Sequence, residues 1–181
     1  MTQVTSEKSM LGLLGAAWAV GGFSLILLDA INRLTRIALH AFEGGALTPA
    51  QLLFLVFAVV FMAYCEGYRG FQKSFSPRCA ARVYYLYRNP EPLAVLLAPL
   101  FCIGFFRATR APLLFAWVGT GLIVLFIIAL QVSPQPWRGL FDVGVVVGLS
   151  WGLVSFLISV WRVFSSGEPA ASAEVPVKNP V

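Results

Sequence analysis

The chain has 181 residues, 59% of them apolar and 12% charged, with a mean hydropathy of +0.81. Soluble domains are about 45–50% apolar and about 25% charged, so a water-soluble fold of this composition would expose more apolar surface than water tolerates. The net charge is +5. No basic domain or RNA-binding motif accompanies it, and the arginines sit at the ends of apolar runs, which points to anionic lipid headgroups and away from nucleic acid.

Five apolar runs occupy residues 10–28, 52–65, 93–106, 111–132 and 140–160. A hydrocarbon layer about 30 Å thick needs roughly 20 helical residues to cross it. The runs are continuously apolar, whereas membrane β-strands alternate, so they read as helices. The expected fold is all-α, a polytopic helical membrane protein with about five transmembrane helices, near 10–30, 49–66, 90–106, 111–132 and 139–161, plus one or two interfacial amphipathic helices. Residues 1–164 form a single bundle in this reading, and 165–181, rich in Ala, Ser, Pro and Glu, form a disordered tail.

The first run follows Lys8 and continues past Ala17-Trp18-Ala19 to residue 28. A signal peptide would end its apolar stretch within about 7–15 residues at the cleavage site, so a retained helix is expected. The pairs Gly12/Ala16 and Ala17/Gly21 are small-xxx-small spacings that admit a close neighbouring helix. Beyond the run, Asp29, Arg33, Arg36, His40 and Glu43 recur at helical spacing on one face, the mark of a solvated stripe. Either the first helix projects from the bilayer here, or a separate amphipathic helix lies on its surface. Gly44-Gly45 then supplies a stop.

Thr48-Pro49-Ala50-Gln51 is a capping box with proline at the first helical position. Counted from Pro49, Glu66 lies about 18 residues along the helix, roughly 27 Å, at or near the far interface. Residues 64–75 continue as helix, weakened by Gly67 and Gly70, until Ser76-Pro77 opens another to about Arg88. That helix gathers Cys79, Ala80, Val83, Tyr84 and Tyr87 on one side and Arg78, Arg82 and Tyr85 on the other, a basic aromatic pattern expected of an interfacial helix. Asn89-Pro90-Glu91-Pro92 opens the third span, which Pro99 should kink. Residues 107–110 make a tight hairpin into the fourth span, and 133–136 end it. Trp137 and Arg138 read as an interface anchor before the fifth. Its Gly144, Gly148 and Gly152 form a helix-packing face, which either packs inside the protomer or meets a partner or a second copy.

With five crossings, Lys8, Arg69, Lys73, Arg78, Arg82, Arg88 and Arg138 share one side, and Arg33, Arg36, Arg107, Arg110, Arg162 and Lys178 share the other. So even a division gives only a slight lean toward residues 66–91 being cytoplasmic.

No catalytic set is present. His40 is the sole histidine, and Cys65, Cys79 and Cys102 include no C-x-x-C pair. Intact Ser-His-Asp, Cys-His and multi-histidine metal sites are therefore excluded, and no phosphate-binding glycine loop occurs. No enzyme activity, cofactor or metal is expected. The densest polar cluster is Glu66, Arg69, Lys73, Arg78 and Arg82, with Tyr64 and Tyr68 interleaved. It reads either as an interfacial ion pair between Glu66 and Arg69 or as a site for an anionic headgroup, an anionic solute or a partner protein. Asp142 follows Arg138 by one turn and is its natural partner. A proton or cation relay between Asp142 and Glu66 would need both to face one cavity. The expected function is binding, as an accessory, assembly or scaffold subunit in contact with partner membrane proteins or anionic lipid. The alternative is a transporter or channel subunit for a small solute or ion.

Overall fold

The computed structural model describes residues 2–176, with side chains from Met10 onward. They form α1 (Thr2–His40), α2 (Pro49–Met62), a π-helix (Ala63–Phe75), α3 (Ser76–Arg88), α4 (Pro92–Leu96), α5 (Ala98–Ile103), α6 (Arg110–Gln131) and α7 (Trp137–Ser166), with no strand among the described residues. Four helical stretches are long and apolar enough to cross a membrane: Met10–His40, Pro49–Arg88, Arg110–Gln131 and Trp137–Ser166.

The run at 93–106, expected as a spanning helix at 90–106, is instead two short helices of 5 and 6 residues. At about 1.5 Å per residue neither is longer than about 9 Å. Pro99 does more than kink the helix. It has no N–H to give, the chain breaks just before it at Leu97 (φ −102, ψ 33), and α5 begins afresh with proline in its first turn. Gly104, left-handed at φ 101, ends α5: its N–H bonds to the Phe101 carbonyl at 3.1 Å, and the Phe105 N–H reaches back to Leu100 at 3.1 Å. This is the six-to-one closure that glycine makes at a helix end. Glu91 then pairs with Arg107, tying the entry of the segment to its exit, so the chain returns to the level it left.

The helices gather into two compact units. Unit 1 holds the chain up to Ser24, Ser76–Gly121, and the chain from Phe156 on; unit 2 holds Leu25–Phe75 and Leu122–Ser155. At the centre of unit 1 is α3. Cys79, Ala80, Ala81, Arg82 and Val83 are successive and all at most 4% exposed. Five buried residues in a row cover every direction around a helix, so α3 is surrounded by protein and is not the interfacial helix its basic aromatic pattern implies. Small residues on α1 let it close on this core. A Cβ on Gly12 would strike the Tyr87 carbonyl, one on Gly15 would lie 2.9 Å from Val95, and one on Gly22 would strike Pro99. Cys79 on α3 and Cys102 on α5 are buried free thiols, on two helices that pack against each other.

The chain after α7 also belongs to unit 1. Arg82 donates to the Ala173 carbonyl at 3.0 Å, and the Thr109 N–H donates to the Glu174 carbonyl at 2.9 Å. Within residues 167–176, expected to be disordered for lack of apolar side chains, the backbone carbonyls of Ala173 and Glu174 are bound in this way. Residues 177–181 of that expected tail lie outside the described residues.

In unit 2, the polar stripe of Asp29, Arg33, Arg36, His40 and Glu43 is exposed throughout; the first four ride on α1, and Glu43 lies in the turn just after it. His40 Nδ1 and Glu43 are 2.9 Å apart. The Thr48 capping box forms in both directions, Thr48 N–H to Gln51 Oε1 at 2.8 Å and Gln51 N–H to Thr48 Oγ1 at 3.4 Å.

Candidate functional site

The five residues of the polar cluster divide between the units. Glu66, Arg69 and Lys73 ride on the π-helix in unit 2, and Arg78 and Arg82 on α3 in unit 1. The π-helix is one continuous segment with α2, wound with i→i+5 bonds, and Gly67 in it is buried beneath Trp151.

Arg82 is 4% exposed, and its guanidinium is filled by carbonyl oxygens. Nε donates to Phe101 at 2.6 Å, Nη1 to Ala173 at 3.0 Å, and Nη2 to Phe106 at 3.0 Å and Arg107 at 3.1 Å. Its Cζ lies 4.3 Å from the centre of the Phe101 ring. A cation placed on carbonyls at the end of α5 also meets the negative end of that helix. With these donors occupied inside the protein, Arg82 clamps the doubled-back segment to the chain after α7 and offers nothing to a headgroup. Arg78 is half-buried, 5.4 Å over the Phe115 ring. Arg69 and Lys73 are exposed, and Lys73 lies 5.4 Å over the Tyr68 ring.

Glu66 pairs with none of these arginines. Its Oε2 is buried without a hydrogen-bond partner, and the expected Glu66–Arg69 ion pair is absent among the described residues. Its neighbour across unit 2 is Gly148, where a Cβ would come within 2.6 Å of that oxygen. Gly148 is eight residues into the apolar run at 140–160. Glu66 therefore sits well within the apolar length of α7, deeper than the interface position counted along α2. The other glycines continue the same packing. A Cβ on Gly144 would lie 2.6 Å from the Ala58 carbonyl oxygen, and one on Gly152 would lie 2.5 Å from the Phe71 ring. Trp151 Nε1 donates to Gln72 Oε1 at 2.7 Å beside them. The face of Gly144, Gly148 and Gly152 is thus filled from within unit 2, by α2 and the π-helix.

Asp142 is 3% exposed, with Oδ2 unpartnered. Arg138 Nε is likewise buried and unpartnered, and the two residues form no ion pair among the described residues. At about 100° per residue, Asp142 leaves α7 about 120° around the axis from Gly148, the position that faces Glu66.

Two features were missed in the sequence. One is the Arg82 clamp, for which the run Cys79-Ala80-Ala81 was a signal: small residues on all sides of a helix let neighbours close around it. The other is the Glu91–Arg107 tie, for which no local pattern exists. In unit 1 a cleft of about 430 Å³ is lined by Tyr84, Tyr85, Arg88, Asn89, Pro169 and Ala173, so the chain after α7 forms part of its wall.

Fold and site together define a multi-pass helical membrane protein with one doubled-back helical segment. No protein-family model matches the chain, and neither does any curated protein or solved structure.

Proposed function

We propose that this chain acts by binding, as an accessory, assembly or scaffold subunit in contact with a partner membrane protein or anionic lipid. The supporting observation is how little of α6 its own fold uses. Of its 22 residues only Ala116 is buried, and Gly119 and Gly121 have nothing within 4 Å of a Cβ. On α1, Gly12 and Ala16 are buried in unit 1, whereas Ala17 and Gly21 are exposed with open space beside Gly21. Small residues facing outward on spanning helices allow a second helix to approach closely. Gly21→Leu and Gly121→Leu test this reading, because a Cβ at either position has open space around it. The expected result is unchanged thermal stability in detergent with loss of self-association or of co-purifying membrane partners; unchanged association with both substitutions present contradicts it.

The second reading, a transporter or channel subunit, is favoured by one observation. Glu66 places an unpartnered carboxylate oxygen within the apolar length of α7, on a π-helix. Ionisable residues at membrane depth mark ion or substrate paths by default, and π-turns recur at functional sites. Ion flux in proteoliposomes that vanishes in Glu66→Gln supports this reading; flux equal to that of empty liposomes removes it.

A further inference from the structure

The doubled-back segment changes how the basic residues divide across the membrane. Two contacts keep residues 91–107 from crossing. Glu91 pairs with Arg107 at the two ends of the segment, and Arg82, six residues before the end of α3, bonds to the carbonyls of Phe106 and Arg107. A segment that spanned about 30 Å of hydrocarbon could satisfy neither. The four remaining crossings put the connections at 29–48 and 132–138 on one side, and residues 69–110 with the chain after α7 on the other. Between residues 10 and 176 the first side then carries three basic residues, Arg33, Arg36 and Arg138; the other eight, from Arg69 to Arg162, lie on the second. Without the buried Arg82 the division is still seven to three. Five crossings would have left it nearly even.

We infer that the second side is cytoplasmic and that its exposed arginines in unit 1, Arg88, Arg107, Arg110 and Arg162, rest against the anionic headgroups of the inner leaflet. Cytoplasmic connections hold the excess of Lys and Arg, and the connections compared here are short enough for that rule to apply. The charge balance of the patch also fits an anionic surface. In unit 1 the described acidic side chains are Glu91, Glu168 and Glu174, and Glu91 is already tied to Arg107. Basic side chains next to a spanning helix are drawn to anionic lipid within a Debye length of the surface.

Single cysteines at Gly44, Thr109 and Ala170 test the arrangement in a full-length chain carrying Cys65→Ser; Cys79 and Cys102 are buried and stay in place. In intact bacterial spheroplasts expressing the protein, a membrane-impermeant maleimide should label Gly44→Cys, and should label Thr109→Cys and Ala170→Cys only after lysis. The reverse pattern overturns the orientation. Gly44→Cys and Thr109→Cys labelling from the same side overturns the doubled-back segment. If a substituted chain fails to accumulate, fusions after residue 176 give the same answer without any internal change: fluorescent GFP with inactive alkaline phosphatase supports the inference, and the opposite overturns it. The lipid contact is read separately, by sedimentation of the nanodisc-embedded protein with vesicles of phosphatidylglycerol or of phosphatidylcholine. Co-sedimentation with the anionic vesicles alone, lost when Arg88, Arg110 and Arg162 are changed to Gln, supports it; equal behaviour with both vesicles overturns it.

Discussion

Arg82→Ala is expected to destabilise the protein by several kcal/mol, because hydrogen bonds from a charged donor contribute about 1.5–3 kcal/mol each. The carbonyls of Phe106, Arg107 and Ala173 would lose this donor at once, and that of Phe101 would keep only the Gly104 N–H. A buried acceptor left unmade costs about 1–3 kcal/mol, and only part of this is recovered if water enters. Arg82→Lys should fall between, because an ammonium carries the charge but cannot reproduce the planar fork that reaches two chain segments together. Thermal unfolding in detergent measures the loss. Limited proteolysis locates it, since residues 167–176 should become cleavable in Arg82→Ala before the rest of the chain. Unfolding and cleavage like the parent's would show that the clamp holds nothing.

Gly144→Leu is expected to be comparably harmful, for a steric reason. A Cβ there meets the Ala58 carbonyl oxygen at 2.6 Å and the Ala58 carbonyl carbon at 2.8 Å. These are backbone atoms, and only moving α2 away from α7 relieves the clash. Overpacking a fitted contact typically costs about 1–3 kcal/mol, and a helix that must shift lies at the upper end. Gly148→Ala should be milder, because its obstacle is the Glu66 side chain, which can rotate. The order of melting temperatures in detergent checks this, with Gly148→Ala above Gly144→Leu. Equal, parental melting of both would mean that α7 does not approach α2 through its glycines.

The parts of this fold that were legible in the sequence depend on neighbours along the chain. Thr48 and Gln51 are three residues apart, so the capping box could be read directly, and it forms as read. The stripe from Asp29 to Glu43 is set by helical periodicity alone, and it is exposed. What could not be read depends on distant partners. Fourteen apolar residues with a proline look the same whether they cross a bilayer or double back, and Glu91 and Arg107 decide the matter from opposite ends of the segment. Arg82 looks like an interface arginine because its acceptors lie 19 to 91 residues away. The same applies to Glu66: the arginine three residues on is the obvious partner by spacing, yet the carboxylate faces Gly148 on another helix.

The central claim is that four apolar helices hold this chain in a lipid bilayer. Alkaline carbonate extraction of membranes from cells expressing it tests that most directly. Retention of the protein in the membrane pellet, with release only by detergent, is the predicted result. Recovery in the carbonate supernatant as a monodisperse species without detergent would contradict it.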